Sequence, residues 1–127
     1  MGNTPKEKLL GMLGLCIRAR RAVCGTVNVC EALKAGKVKL VITACDNSAA
    51  TDKRLSDRTA FYGVKLIKTE LTAAEIGAAT GKSLVAAMAV TDESMAQAVE
   101  KKAEEMSANN NEYIKKNYFV SVKEEDR

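Results

Sequence analysis

Cys24-Gly25-Thr26-Val27-Asn28-Val29-Cys30-Glu31-Ala32-Leu33-Lys34-Ala35-Gly36-Lys37 reads as a strand end, a glycine turn, a helix of about three turns and a second turn. Gly25 can adopt backbone angles closed to other residues, and Thr26 has a side chain able to cap the helix that follows. At helical spacing Val29, Cys30 and Leu33 share one face, while Val27, Asn28, Glu31 and Lys34 fall outside it. A helix of this kind is anchored on one side and presents its N-terminal turn on the other. That turn carries unpaired N–H groups and a partial positive charge, which suit a phosphate or a polar base edge.

The flanking residues extend the pattern in both directions. Upstream, Thr4-Pro5-Lys6-Glu7 is a capping box with proline in the first helical position, and Leu9, Leu10, Leu13 and Ile17 form a helical stripe that continues to about Ala22. Gly11 and Gly14 weaken this helix by propensity, so close packing is their expected role. Val23-Cys24 is a short strand. Downstream, the nearly continuous aliphatic run Val38 to Ala44 suits a central strand covered on both faces, and Cys45-Asp46-Asn47-Ser48 is the loop at its end. A helix follows to Tyr62, with Leu55, Thr59 and Tyr62 inward, Lys53, Arg54 and Arg58 in solvent, and Gly63 as its cap. Val64 to Ile67 is a strand. Thr72-Ala73-Ala74-Glu75 is a second capping box that opens a helix ending at Gly81. Leu84 to Val90 is a small-residue strand. Asp92 starts a last helix marked by Met95, Val99, Lys102 and Met106, which Asn109-Asn110-Asn111 should end.

Helices and strands therefore alternate from end to end. Short loops join them, which predicts an α/β fold, a three-layer α/β/α sandwich around a mixed sheet of about four strands. With 127 residues, the expectation is one domain over residues 1–111 and a C-terminal extension over 112–127. The Tyr-Phe-Val-Ser-Val run in that extension leaves an edge strand, a helix extension and a frayed end equally open.

Composition narrows the functional classes. No apolar run reaches the ~20 residues of a membrane span, and no signal peptide is recognisable, so a cytoplasmic protein without a membrane partner is expected. The chain has no histidine, which removes the commonest general base and the usual nucleophilic triads. Cys16, Cys24, Cys30 and Cys45 form no CxxC pair and each lies in an apolar pattern, so they read as small core residues rather than metal ligands. Gly81-Lys82-Ser83 is a decoy for a phosphate-binding loop: Ile76 stands where the first glycine belongs, and the segment follows a helix and precedes a strand. Asp46 sits at a strand end without a paired acid and reads as a turn residue. No catalytic residue, metal site or cofactor is expected.

Charge points to a polyanion. Residues 1–68 hold 13 Lys and Arg against 5 Asp and Glu, a balance of +8, whereas residues 69–127 hold 7 against 11, a balance of −4. A basic half on a small domain fits a nucleic acid. The five aromatic residues, Phe61, Tyr62, Tyr113, Tyr118 and Phe119, leave the strands preceding the tail without stacking platforms. Recognition by helix ends, loops and charge is therefore expected, which favours structured RNA over bare single strands.

At this point the residues resemble a known family. Leu13-Gly14-Leu15, Arg18, Arg20-Arg21-Ala22, Gly25, Ala32-Leu33-Lys34, Gly36 to Ile42, Ala44 and Asp46, followed by Phe61-Tyr62-Gly63-Val64, Ile76-Gly77 with Gly81, and Ala89-Val90-Thr91-Asp92, resemble the ribosomal protein L7Ae/L30e superfamily. The nearest pattern is its small stand-alone bacterial branch, and the likeness spans about residues 5–105. It implies an α/β/α sandwich that binds kink-turn or similarly bent RNA. In the family, the helix after the Gly-Thr turn enters the major groove and its first residues read tandem sheared G·A pairs. Two loops flank it, and one of them grips a flipped-out nucleotide.

Carried onto this chain, the turn is Gly25-Thr26 and the reading positions are Val27, Asn28 and Glu31. The loops are Cys45-Asp46-Asn47 and Lys82-Ser83-Leu84-Val85, with Arg20, Arg21, Lys34 and Lys37 as supporting cations. Two positions depart from the family pattern. Val27 has no hydrogen-bonding side-chain atom, and Glu31 brings a carboxylate where lysine would release counterions. Asn28 retains the means to pair with a base edge. The expected function is a non-enzymatic, ribosome-associated protein that binds ribosomal RNA or a kink-turn. The alternative is a protein-interaction module on the same fold.

Overall fold

The computed structural model describes residues 4–108. Helix α1 spans Pro5–Arg18, strand β1 Ala22–Cys24, α2 Thr26–Lys34, β2 Leu40–Thr43, α3 Ala49–Tyr62, β3 Leu66–Lys68, α4 Ala73–Thr80, β4 Ala87–Val90 and α5 Glu93–Ala108. The alternation expected from the sequence is present. Asn109 to Asn111, expected to end α5, and the extension 112–127 lie outside the described residues.

The four strands form one mixed sheet in the order β1-β4-β2-β3. β4 runs antiparallel to β1 and β2, and β2 and β3 are parallel. Ala22, Val90 and Leu40 are in register at one end, and Thr43 pairs Ala87 at the other. The strands β1, β2 and β3 all finish at this second end, which is called the tip end below.

Alternate side chains of each strand feed two cores. Leu40, Ile42, Ile67, Met88 and Val90 face α1, α4 and α5, where Leu9, Leu13, Ile76 and Val99, with Leu71 from the loop before α4, meet them. Val41, Leu66, Ala87 and Ala89 face the other way, toward Val29 and Leu33 of α2 and Leu55 of α3. The two alanines of β4 let α2 lie close to the sheet. Burying Val29 and Leu33 contributes about 1.5–3 kcal/mol each. The molecule is thus a three-layer sandwich with α1, α4 and α5 on one face and α2 and α3 on the other.

Local signals set most helix ends. Both capping boxes form: Thr4 with Glu7 at α1, and Thr72 with Glu75 at α4. The Glu75 carboxyl is held below its ordinary range, first by its hydrogen bond from Lys6 and then by the Thr72 backbone N–H. The α4 terminus is thereby tied to the first turn of α1. Gly63 and Gly81 cap α3 and α4 in the left-handed region, at φ 68° and 78°.

Several expectations are corrected. α1 ends at Arg18 rather than Ala22, because Arg20 takes a positive φ of 60° and reverses the chain into β1. The strands are shorter than their apolar runs: Val38 and Val85 are buried from loops. Gly14 does serve close packing, since a Cβ there would stand 2.8 Å from the Ala79 carbonyl oxygen of α4. Gly11 does not, for nothing lies within 4 Å of its Cβ position. Tyr62 is not inward; it is 38 % exposed, beside the more exposed Phe61. Cys16, Cys24 and Cys30 are buried as expected, but Cys45 is exposed.

Candidate functional site

The start of α2 is built by one strained glycine and a strand edge. Gly25, at φ 101°, is the N-cap residue and has no side chain to satisfy the helix. Thr26 is the first helical residue, and no side-chain cap bond forms, so it does not cap as expected. The Gly25 N–H donates instead to the Ala87 carbonyl at 2.9 Å, and Val29 N–H makes the first intrahelical bond, to Gly25. The N–H groups of Thr26, Val27 and Asn28 therefore stand at the open end of the helix. Asn28 donates from Nδ2 to the Cys24 carbonyl at 2.9 Å, which orients its exposed side chain and leaves Oδ1 and a second N–H for a ligand. Val27 is 60 % exposed.

Both predicted loops meet this terminus, and two adjacent carbonyls knit the three segments together. Ala87 accepts from Gly25, while Ala86 accepts from the Ala44 N–H and from Asn47 Nδ2, each at 3.0 Å. Asn47 also lies 3.5 Å from Asp52, which bridges to Lys68. Asp46 has a definite partner that sequence reasoning missed: its carboxylate accepts from the Ala73 N–H, 2.9 Å away, at the start of α4. The second loop is fixed from below, with Lys82 N–H donating to the Gly77 carbonyl and Val85 N–H to that of Ala73. Lys82, Ser83 and Leu84 are exposed, and Leu84 is 72 % so. Val85 is buried to 1 %, so its side chain belongs to the core.

The predicted site does not stay whole. Gly25, Thr26, Val27, Asn28, Asp46, Asn47, Lys82, Ser83 and Leu84 gather at the tip end. Arg20 and Arg21 precede β1, whose first residue pairs Val90 at the opposite end of the sheet. α2 runs back from the tip for nine residues, roughly 13 Å, so Lys34 and Lys37 also lie at that far end. Glu31 is exposed partway along. Lys82 is the one cation among the residues gathered at the tip and Asp46 the one carboxylate, so attraction for a phosphate there rests on the open N–H groups and dipole of α2 with Lys82, and the four other cations lie away from it.

The Cys45 thiol, which donates to the Glu70 carbonyl at 3.3 Å, is pushed up by partial burial and then by the Asp46 carboxylate. Burial also raises the Cys24 thiol, against the opposing pull of Thr80 and Lys82. Among the described residues, no group of three His, Cys, Asp or Glu is placed to hold a metal ion, and no helix is long and apolar enough to cross a membrane.

Comparisons with known proteins match this geometry to a family. The model of the ribosomal protein L7Ae/L30e/S12e/Gadd45 family matches residues 7–100. RNA-binding protein YlxQ of Bacillus subtilis (strain 168) is 35 % identical over 85 residues, which cover 67 % of this chain and 84 % of that protein. A solved Bacillus halodurans protein, described as having unknown function, superposes with a TM-score of 0.72 at 30 % identity, over 77 % of this chain and 98 % of its own. A Giardia lamblia 15.5kD RNA binding protein shares the fold, with a TM-score of 0.65 at 17 % identity, over 82 % of this chain and 88 % of its own.

Proposed function

The chain belongs to the ribosomal protein L7Ae/L30e/S12e/Gadd45 family, and from that membership we propose that it binds structured, kink-turn-like RNA through the tip of α2. The role is non-enzymatic and cytoplasmic, in association with the ribosome. The observation that carries this reading is the joining of three separate segments at one helix N-terminus through the Ala86 and Ala87 carbonyls. A helix end held from both sides is a rigid probe for the groove of a bent RNA.

Each group then has a task. The N–H groups of Thr26, Val27 and Asn28 meet phosphate or base-edge acceptors, helped by the helix dipole. Asn28 offers its free Oδ1 and N–H to a purine edge. Val27 contributes apolar contact but no readout, so discrimination at its position is shape-based. Leu84 offers an apolar face to an unstacked base, and Lys82 a cation to the backbone beside it. Asp46 and Asn47 act on the RNA indirectly: their polar groups hold the loops in register with α2.

Titration of a kink-turn duplex against a control with its sheared G·A pairs replaced tests the proposal. At about 50 mM salt the kink-turn is expected to bind at least roughly tenfold more tightly, and both affinities should fall steeply by about 200 mM. Equal affinity for the two duplexes would reduce the reading to shape-independent RNA binding. Absence of binding to either, and to ribosomal RNA, would leave a protein-interaction module on this fold.

A further inference from the structure

The cations that the sheet separates from the tip have neighbours that no RNA contact at the tip uses. α2 and α3 run side by side over the same face of the sheet, both starting at the tip end. Asp52 of α3 pairs with Lys68 of the edge strand β3, so the opposite flank of α3, which carries Arg54 and Arg58, faces α2. On α2, Asn28 reaches toward β1, so the flank carrying Lys34 faces α3. The seam between the two helices is therefore lined by Lys34, Arg54 and Arg58, with Lys37 at its end. None of the four is ion-paired among the described residues.

The seam ends on an exposed aromatic pair. Phe61 is 79 % exposed, and its ring meets Tyr62 edge to face with centroids 4.9 Å apart. Arg58 and Asp57 complete an open groove around them, and Asp57 is already paired with Lys53. An exposed phenylalanine costs hydration and does nothing for the core. Held by a tyrosine and with the unpaired Arg58 beside it, it is a stacking surface with a phosphate ligand at hand. α3 is 14 residues long, so this patch lies about 20 Å from the tip.

We propose that the far end of the α2–α3 seam is a second RNA contact, where an unpaired base of a strand leaving the tip-bound duplex stacks on Phe61. Arg54, Arg58, Lys34 and Lys37 hold the phosphates of the strand between the two points. This inference rests on RNA binding at the tip but has its own readout.

The test compares a blunt kink-turn duplex with the same duplex bearing a short single-stranded uridine overhang. The overhang is expected to tighten binding by about tenfold, the range of one stacked base. Phe61→Ala should remove that gain and leave the blunt duplex unaffected. The chain has no tryptophan. Phe61→Trp therefore supplies a single tryptophan, excited selectively beside the three tyrosines, which should preserve the gain and be quenched by the overhang but not by the blunt duplex. An overhang that adds nothing, or a Phe61→Ala loss equal for both RNAs, would overturn the proposal. If the blunt duplex is not bound at all, the tip reading fails by itself. The second contact is then judged on free oligouridine, which it survives if binding is lost in Phe61→Ala and does not survive if wild-type binding is absent.

Discussion

Val27→Asp is expected to weaken kink-turn binding on the order of 100-fold, about 2.7 kcal/mol, while leaving the melting temperature unchanged or slightly raised. The two effects have one cause. Val27 sits in the first turn of α2 and is mostly exposed, so a carboxylate there meets the helix dipole favourably, by about 0.3–1 kcal/mol. It would also occupy the open N–H groups and confront RNA phosphates with a like charge. The substitution drives binding and stability in opposite directions. Calorimetric melting beside an RNA titration separates them. Retained affinity in a folded Val27→Asp protein would remove the tip from the interface.

Gly77→Ala is expected to act in the opposite sense, through the fold. A Cβ at this position would strike the backbone of the second loop, with the Ser83 carbonyl carbon at 2.7 Å and the Lys82 carbonyl oxygen at 2.9 Å. Neither is the end of a flexible side chain, so relief requires the loop to move. Overpacking of this kind costs about 1–3 kcal/mol, or a melting temperature lower by roughly 5–15 °C. Displacement of Lys82 to Leu84 from the tip should also weaken RNA binding in the fraction that folds. A thermal melt unchanged within a degree or two would show that the loop does not rest on α4 as described.

Much of this architecture was legible in the chain. The capping boxes at Thr4 and Thr72 and the glycine stops at Gly63 and Gly81 are local signals, and each forms as read; the apolar periodicity gives the alternation of helix and strand but not every boundary. What was misread depends on where distant segments meet. Thr26 has a side chain able to cap, but the actual cap is Gly25, whose N–H is claimed by Ala87, 62 residues on. Val38 and Val85 read as strand because burial and extension look alike in an apolar run. Lys34 and Lys37 are close to the turn in sequence, but a helix carries its two ends apart.

Asp46 and Asn47 show the same limit in the candidate site. Their partners, Ala73 and Ala86, are backbone groups and leave no trace in side-chain identity. Phe61 was a different kind of miss. Its spacing from Leu55 and Thr59 already places it off the buried face of α3, and an aromatic residue in that position had no packing role to fill.

The most direct measurement is a map of backbone amide chemical shifts as a blunt kink-turn RNA is added. The largest changes are expected at Thr26, Val27 and Asn28, with smaller ones at Asn47, Ser83 and Leu84, and little at Lys34, Lys37 and Phe61. An RNA that binds while leaving the first turn of α2 unshifted would contradict the account.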